Sequence, residues 1–330
     1  MNTDARLGQL TSWLAQFDGL ENARPEPAST DASFRRYFRV SGHENFIVMD
    51  APPPEDCRKF VVVANFLHEM GLTAPRVLES DLEQGFLLLT DLGNDSYLAV
   101  LESRPELGDQ LYRDAIDALL TIQANGVQYQ GKLPPYDEQL LRFELSIFRE
   151  WLCERHLGLA FSAGDDTMWK RSCDLLAANA LQQPRVFVHR DFHSRNLMRV
   201  SERNPGILDF QDALDGPLTY DLVSLLKDCY VRWPAAVVRE RVAYFLAASP
   251  AGAENESEFM RHFDLMGAQR HLKAAGIFAR LKHRDGKDGY LNDIPRTLGY
   301  VVELAPDYPE LEPLAALIES RVLPQLETAS

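Results

Sequence analysis

Residues 189–196, in the order His-Arg-Asp-Phe-His-Ser-Arg-Asn, constrain this chain more than any other segment. They place Asn196 five residues after Asp191, and Asp209 follows thirteen residues later. The apolar runs 186–188 and 206–208 come shortly before these groups and have the length and composition of short strands. Because the two runs are spaced as in a hairpin, the pattern indicates one polar site.

The residue types at these positions are those that phosphoryl transfer from a nucleotide requires. One carboxylate orients the attacking hydroxyl and accepts its proton, while a carboxamide oxygen and a second carboxylate hold magnesium against the phosphates. The pattern therefore predicts Asp191 as the proton acceptor and Asn196 and Asp209 as metal ligands.

A polar turn is the alternative explanation. Asp191 would then cap a backbone, Asn196 would occupy a left-handed position and Asp209 would simply end a strand. A lone His-Arg-Asp tripeptide is common, but the full eight-residue pattern followed by a strand that ends in Asp-Phe seldom occurs by chance. We therefore favour phosphoryl transfer.

Composition limits the class of protein. The chain has 330 residues, enough for two lobes with cores of their own, and its formal net charge is −15. A long nucleic-acid surface needs a basic field, so no nucleic-acid partner is expected. The four cysteines are scattered without metal-ligand spacing, which predicts reduced core thiols and no zinc site.

No membrane attachment is expected from the sequence. The first residues lack a basic region followed by an apolar one, and the apolar runs are far shorter than the ~20 residues that span a bilayer. The sequence predicts a soluble cytoplasmic protein, and we expect a monomer.

Hydrophobic periodicity and turn residues predict the order of elements in the first part of the chain. The pattern predicts a helix at 7–17, a Pro/Ala/Ser linker at 25–30, strands at 34–40 and 45–50, a helix at 55–70, and strands at 76–79 and 86–90. The helix at 55–70 ends before Gly71, where a C-cap glycine is favoured. This order is that of a small mixed lobe, which we place at 1–93.

The remainder, 94–330, is predicted to be a large, mostly helical lobe that carries the catalytic loop, metal site and substrate site. Its predicted helices span 107–123, 137–157, 166–181, 220–230, 235–248 and 256–281. The fold class is thus α+β, a bilobal protein-kinase-like fold with the nucleotide in the cleft between lobes. Residues 91–93 would form the hinge, with Thr90, Asp91 and Leu92 at the nucleotide. The backbone at Thr90 and Leu92 would bond the adenine edge.

Several segments carry a family resemblance. They are residues 30–39, 48–53, 87–93, 188–197, 208–213, 216–217, 220–222 and 276–281. Through them the chain resembles the aminoglycoside phosphotransferase family of small-molecule kinases, which use ATP and Mg²⁺. The resemblance extends over most of the chain. It implies the same roles for Asp191, Asn196 and Asp209 as the local pattern does.

The resemblance also implies roles outside the catalytic loop. It assigns the nucleotide phosphates to Ser33, Phe34, Arg35 and Arg36. Asp221 would brace the catalytic loop by accepting its backbone N–H bonds; a helix-start carboxylate that favours the N-terminal dipole is a compatible explanation.

Three departures from the protein-kinase pattern affect these roles. Residues 29–37 contain no glycine-rich phosphate loop, and residues 46–50 contain no lysine for the phosphates. Arg35 or Arg36 could replace that lysine, because a guanidinium can donate two parallel hydrogen bonds to phosphate oxygens. Alternatively, both arginines could be solvated at a strand edge. Gln211 stands where kinases have the glycine of Asp-Phe-Gly, so a regulatory peptide flip is not expected.

Candidate substrate residues each have a structural alternative. His193 could contact substrate or order the loop, Asp212 and Asp215 could bind sugar hydroxyls or form a turn, and Tyr230 and Trp233 could stack on a sugar or pack in a core. The basic series Arg270, Lys273, Arg280, Lys282 and Arg284 could attract a substrate carboxylate or form a solvated helix face.

The subgroup that the chain most resembles phosphorylates the anomeric hydroxyl of N-acetylmuramate and N-acetylglucosamine in peptidoglycan recycling, and this is the expected function. Another kinase of the same fold, acting on an aminoglycoside, choline or a protein Ser/Thr, is the second hypothesis. A non-catalytic nucleotide-binding module is the third, which the complete set of Asp191, Asn196 and Asp209 disfavours.

Overall fold

The computed structural model describes residues 4–30, 34–42, 44–249 and 255–328. The chain divides into two compact units. The first contains 1–96 and 197–212, and the second contains 97–196 and 213–330. The sequence predicts that all of 94–330 forms one lobe, whereas in the structure 197–212 belongs to the first unit.

Backbone hydrogen bonds explain why 197–212 belongs to the first unit. Within this segment β7 (Leu197–Met198) pairs with β8 (Gly206–Ile207) in an antiparallel hairpin. The N–H of Ile207 donates to the carbonyl of Thr73 over 2.8 Å, and the N–H of Arg199 donates to Asp95 over 2.7 Å. The hairpin is thus bonded to the chain that precedes residue 97.

The first unit is built on a five-stranded antiparallel sheet with the order β1-β2-β3-β5-β4. Its strands are β1 (Glu26–Thr30), β2 (Arg36–Ser41), β3 (Asn45–Asp50), β4 (Val77–Asp81) and β5 (Phe86–Thr90). The first four residues of β5 are buried, as expected of an apolar strand in the sheet interior.

Strand β1 corrects the prediction of a linker at 25–30. Residues Glu26–Thr30 pair with β2 along one edge of the sheet, with a bulge between Pro27 and Ser29. Proline has no N–H to donate, so in sheets it is confined to edges, strand starts and bulges. Proline-rich composition therefore suggested a linker where an edge strand actually forms.

Helix α1 (Ala5–Leu14) begins at Asp4, whose side chain accepts from the backbone N–H groups of Arg6 and Leu7. Its buried residues are Leu10, Trp13 and Leu14. They pack on one face of the sheet in a cluster that includes Phe38, Val40, Val48, Phe86 and Leu88. Burial of these side chains, at about 1.5–3 kcal/mol each, attaches α1 to the sheet.

Helix α2 (Cys57–Glu69) begins at Asp56, which accepts from the N–H of Arg58, and ends before Gly71, whose φ is +85°. It therefore ends where the sequence predicts. Its buried face carries Phe60, whose ring lies 4.6 Å from that of Phe210. This contact connects α2 to the segment that holds Asp209.

The second unit is mostly helical. Its α-helices are α3 (Tyr97–Ser103), α4 (Gly108–Asn125), α5 (Glu138–Ile147), α6 (Ala163–Gln182), α7 (Tyr220–Leu226), α8 (Ala235–Ala248), α9 (Glu256–Asp285), α10 (Ile294–Val302), α11 (Glu312–Leu317) and α12 (Leu323–Thr328). Helix α9 packs against α5, α6, α7 and α10 and is buried along most of its length. In the described part of the chain, no helix is both long and apolar enough to cross a membrane.

Gly276 explains how α9 approaches its neighbour so closely. Helix α5 continues into a π-helical segment, Phe148–His156, and α9 packs across the junction. A Cβ on Gly276 would lie 2.5 Å from the backbone N of Phe148. Only glycine fits there without a shift of one helix.

A two-stranded ladder presents the catalytic loop. Strands β6 (Arg185–Val188) and β9 (Leu214–Pro217) pair antiparallel, and Val188 lies opposite Leu214. The loop 189–196 begins directly after β6, and α7 begins shortly after β9. Because the pairing is antiparallel, the loop follows one end of the ladder and α7 follows the other, so the hydrogen bonds from the loop to Asp221 of α7 are what join the two.

Candidate active site

Two buried carboxylates hold the catalytic loop. One lies in α7 and the other in the residues that follow this helix. Asp221, in the first turn of α7, accepts from the backbone N–H groups of His189 over 2.6 Å and Arg190 over 2.9 Å. Burial raises the pKa of Asp221 to about 7, although these two hydrogen bonds oppose the rise. The first two residues of the loop are thus fixed to α7.

Asp228 holds the other half of the loop. Its Oδ2 accepts from the backbone N–H of Ser194 over 3.0 Å and from the Ser194 hydroxyl over 2.5 Å, and both residues are fully buried. Its Oδ1 accepts from the N–H of Tyr230 over 2.9 Å. Asp228 is not among the residues that the sequence predicts for the site, because no local motif marks it.

Asp191 lies between these two attachments and is half-buried. Its N–H donates to Nδ1 of His189 over 3.2 Å, and its carbonyl accepts from the N–H of His193 over 3.1 Å. The loop's own hydrogen bonds thus fix the backbone of Asp191 on both sides.

The charge of Asp191 is set by its neighbours. Burial disfavours the ionised carboxylate, but Lys273, His193, Arg190 and Arg270 together hold the pKa of Asp191 below its usual value. At neutral pH Asp191 is therefore a carboxylate that can accept a hydrogen bond from a hydroxyl.

Glu144 of α5 pairs with two of these cations. Its Oε1 accepts from Nη2 of Arg190 over 2.5 Å and from Nζ of Lys273 over 2.9 Å, and the residue is 1% exposed. Its Oε2 accepts from the hydroxyl of Tyr136 and, over 3.1 Å, from Nε2 of Gln269. Burial opposes ionisation, yet Lys273 and Arg190 lower the pKa of Glu144 to about 2.

The sequence did contain a signal for Glu144. It lies at helical spacing among Leu141, Leu145 and Phe148, on the apolar stripe of the predicted helix 137–157. A charged residue on such a stripe is rarely buried without a partner, so it indicates an internal ion pair. The pairing also gives Lys273, predicted as a substrate contact, a structural partner.

Asn196 and Asp209 have donor atoms suited to the predicted magnesium site. Nδ2 of Asn196 donates to the carbonyl of Asp191 over 3.0 Å, so the other end of the carboxamide is the oxygen that a hard cation binds. Asp209 has a φ of +60°, which Asp tolerates better than most residues, and accepts from Nε2 of Gln211 over 2.7 Å. Asn196 belongs to the second unit and Asp209 to the first.

The residues assigned to the nucleotide phosphates have different surroundings. Ser33 lies outside the described residues. Phe34 is 59% exposed. Nε of Arg35 lies 3.5 Å from Oε2 of Glu55, so this cation has an acidic partner, and its phosphate role stays a prediction.

Arg36 is bound within the sheet. It donates to Oδ2 of the fully buried Asp50 through Nε over 2.9 Å and Nη2 over 2.5 Å, and its Nη1 contacts Asp4. Oδ1 of Asp50 accepts from Nε of Arg6 over 2.5 Å. Neither alternative for Arg36 from the sequence, a phosphate ligand or a solvated edge residue, describes this internal ion pair.

The predicted hinge is only partly available to a nucleotide. The N–H of Thr90 donates to the carbonyl of Arg76 over 3.0 Å, so of its backbone groups only the carbonyl could bond adenine. The Asp91 carboxylate accepts from Arg39 over 2.6 and 3.1 Å and from the N–H of Gly93 over 2.8 Å. The Asp91 carboxylate is therefore bonded within the first unit, and its place at the nucleotide stays a prediction. The predicted adenine contact at Leu92 stays a prediction.

The sequence profile of the phosphotransferase enzyme family matches residues 25–259. The chain belongs to this family. Relatives named N-acetylmuramate/N-acetylglucosamine kinase are 50% identical in Pseudomonas aeruginosa, over 98% of this chain and 99% of that protein, and 43% identical in Neisseria meningitidis, over 88% of each. This phosphotransferase is therefore an enzyme of the kinase type, as its sequence predicts.

Solved structures confirm the fold class. A choline/ethanolamine kinase family protein from Mesorhizobium loti is similar with a TM-score of 0.66 at 14% identity, over 93% of this chain and 97% of that one. The ADP-bound aminoglycoside phosphotransferase APH(2'')-Ib has a TM-score of 0.57 at 14% identity, over 90% of this chain and 97% of that one. The α+β, bilobal, protein-kinase-like class predicted for the phosphotransferase is confirmed.

The two candidate stacking aromatics of the phosphotransferase have different neighbours. The ring of Tyr230 lies 5.4 Å from His193, edge to face, and the guanidinium of Arg195 lies 3.8 Å above it. Trp233 packs 5.1 Å from Tyr112 and 4.0 Å from the Arg241 guanidinium. Tyr230 therefore borders the catalytic loop, whereas Trp233 has the surroundings of the core alternative.

Lys273, His193 and Arg270 are the predicted substrate residues whose charges act on Asp191. Arg270 is 5% exposed, donates to Sγ of Cys229 over 3.7 Å and, within the described residues, forms no ion pair. Nδ1 of His193 is buried without a hydrogen-bond partner in the described chain.

The two candidate aspartates are further from such a role. Asp215, on β9, lies opposite Phe187 in the ladder, and its carboxylate forms an ion pair with Arg185 over 2.8 Å. Asp212 is exposed and belongs to the first unit. Neither residue gains support from its contacts as a ligand for sugar hydroxyls.

Proposed function

We propose that this phosphotransferase uses ATP to phosphorylate the anomeric hydroxyl of N-acetylmuramate and of N-acetylglucosamine, giving the sugar 1-phosphate. The observation that carries the proposal is the similarity, along almost the whole chain, to relatives named for kinase activity on these two sugars. The loop around Asp191 supports it, because its backbone is bonded to two buried carboxylates.

Asp191 has the principal chemical role in this proposal. As a carboxylate it accepts a hydrogen bond from the anomeric hydroxyl, orients that oxygen toward the terminal phosphorus and takes its proton. An anomeric hydroxyl is more acidic than an ordinary alcohol, which suits a carboxylate with a lowered pKa. No covalent enzyme intermediate is needed, since positioning and electrostatics provide most of the acceleration.

The predicted metal ligands would act on the phosphates through a bound metal ion. Asn196 and Asp209 would hold Mg²⁺, which when bound offsets charge on the transferring phosphoryl group. Gln211 keeps Asp209 oriented through its hydrogen bond. We further propose that the enzyme acts in the cytoplasm as a monomer, on amino sugars released during peptidoglycan recycling.

Phosphorus NMR of the product tests the proposal directly. Purified protein is incubated with ATP, Mg²⁺ and each acceptor in turn: N-acetylmuramate, N-acetylglucosamine, choline and an aminoglycoside. We expect a sugar 1-phosphate, whose signal couples to the anomeric proton. A 6-phosphate would refute the predicted position of transfer. Transfer only to choline or the aminoglycoside would refute the substrate class, and no ATP turnover with any acceptor would support a non-catalytic module.

A further inference from the structure

Arg195, in the catalytic loop, has an exposed side chain that is held by aromatic rings. Its guanidinium lies 3.8 Å from the centroid of the Tyr230 ring and 5.4 Å from that of Tyr290. Stacking of this kind fixes the direction of a guanidinium while leaving its N–H groups able to donate. The side chain is thus positioned without using its hydrogen-bond donors.

Several other cations in this part of the second unit have acidic partners, although the buried Arg270 has none in the part of the chain that the structure describes. Arg190 and Lys273 pair with Glu144, Lys227 pairs with Asp264 over 2.7 Å, and Arg296 pairs with Asp293 over 3.1 Å. Across the described ranges, Arg195 has no carboxylate within 4.0 Å and no side-chain hydrogen bond. In a chain with a net charge of −15, such an unpaired arginine indicates an external anion.

The position of Arg195 relative to Asp191 is fixed by the loop. Asp228 holds the preceding residue, Ser194, through two hydrogen bonds, and the Tyr230 ring contacts both His193 and Arg195. An anion bound by Arg195 would therefore have a defined place at the loop that carries the proposed proton acceptor.

We propose that Arg195 binds the carboxylate of the acidic sugar and so makes the enzyme favour N-acetylmuramate over N-acetylglucosamine. The inference rests on the proposed function, in which one site accepts two amino sugars that differ by a lactyl carboxylate. A planar guanidinium can bind that carboxylate through two parallel N–H bonds. With the neutral sugar, water hydrates the exposed guanidinium, so that N-acetylglucosamine remains a substrate.

Exposure is the reason for choosing Arg195 over Arg270. Arg270 is 5% exposed, so a carboxylate reaching it would have to be buried too. A site built around a buried cation rejects strongly a ligand that lacks the matching group, because the cation is then left unpaired. An exposed cation produces a modest preference, which is what an enzyme for both sugars requires.

The experiment compares the two sugars in Arg195→Gln and in a matched control. Glutamine keeps a polar side chain but removes the positive charge and the two parallel N–H donors of the guanidinium. We expect the ratio of kcat/KM for N-acetylmuramate to that for N-acetylglucosamine to fall about tenfold, a factor that corresponds to ~1.4 kcal/mol. The control is Arg155→Gln, since Arg155 is also exposed and stacks on an aromatic ring, that of Trp151, at 4.1 Å. This variant should leave the ratio unchanged.

The methyl ester of N-acetylmuramate separates charge from shape. In the wild-type enzyme, esterification should lower kcat/KM about as much as the Arg195→Gln substitution does, and in Arg195→Gln it should have little further effect. An unchanged ratio of the two kcat/KM values in Arg195→Gln, including the case in which both values fall by the same factor, would overturn the inference while leaving the proposed function intact. Failure of the wild-type enzyme to phosphorylate either sugar would overturn both.

Discussion

Replacing Glu144 with glutamine removes the negative charge that two buried cations share. In the native protein its Oε1 accepts from Arg190 over 2.5 Å and from Lys273 over 2.9 Å. The glutamine amide has a similar size and can still bond Tyr136 and Gln269. The substitution therefore tests the charge of the network rather than its packing.

The size of the effect follows from the pKa of Glu144. That pKa is about 2 in the folded protein, where burial raises it and Lys273 and Arg190 lower it further, against ~4.3 for an unperturbed Glu. A difference of roughly two pKa units corresponds to about 3 kcal/mol of stability near pH 7. Removal of one member of a buried ion pair usually costs about 3–5 kcal/mol, which agrees.

The pH dependence has a definite sign. Because folding lowers the pKa of Glu144, its ionised form stabilises the protein above about pH 4.3, and this contribution is lost as the pH falls toward about 2. Glu144→Gln should therefore lower the free energy of unfolding by about 3 kcal/mol near pH 7 and by about half as much near pH 3.

Urea unfolding at several pH values, followed by tryptophan fluorescence, measures this difference. Glu303→Gln is the control, because Glu303 forms an exposed ion pair with Arg232, and such pairs contribute at most about 1 kcal/mol. A Glu144→Gln effect that stays constant between about pH 7 and pH 3 would refute the electrostatic explanation. An effect no larger than that of the control would refute the buried network itself.

Three further substitutions test other parts of the structure. Asp191→Asn should lower kcat at least ~100-fold in single-turnover transfer, and near-normal transfer would exclude it as the proton acceptor. Gly276→Ala should lower the free energy of unfolding by about 1–3 kcal/mol, because its Cβ would lie 2.5 Å from Phe148 N; Gly131→Ala, with nothing within 4 Å, is the control. Trp13→Ala should cost about 3–5 kcal/mol in urea unfolding, and a loss below about 1 kcal/mol would mean that α1 is not firmly packed on the sheet.

Local sequence patterns were enough to predict most elements of the fold. Helix α8 has the predicted bounds, and α2, α4, α6 and α9 lie within a few residues of theirs, because apolar periodicity and capping residues act over one or two turns. The linker predicted at 25–30 was wrong, since an edge strand tolerates Pro27 next to a bulge.

The partner of Arg36 depended on strand register, which the sequence did not specify. The prediction ended the first hairpin strand at residue 40 and began the next at 45, whereas Ser41 pairs with Asn45. That register puts Arg36 directly opposite Asp50, and a shift of one residue would have put it opposite the apolar Met49. Register is set by the turn, so the ion pair could not be inferred from the strands alone.

The supports of the catalytic loop are harder to infer for a related reason. The motif 189–196 is contiguous, so its chemistry can be proposed from a short stretch of sequence. Glu144 and Asp228 come from elements 46 and 34 residues away along the chain, and only the tertiary fold brings them to Arg190 and Ser194. Their effect is exerted through hydrogen bonds that no local spacing encodes.

The charges around Asp191 also limit how it can act. Despite its partial burial, neighbouring cations lower its pKa, which makes it a weak base that stays ionised and can accept a hydrogen bond. In a loose phosphoryl-transfer transition state the attacking hydroxyl becomes acidic only as its bond to phosphorus forms, so Asp191 would receive the proton late. Asparagine keeps an oxygen that can orient the hydroxyl but cannot take that proton. Asp191→Asn therefore separates the two roles. A large loss of kcat with little change in the KM for the sugar would identify proton acceptance. A rise in KM as large as the loss of kcat would identify positioning.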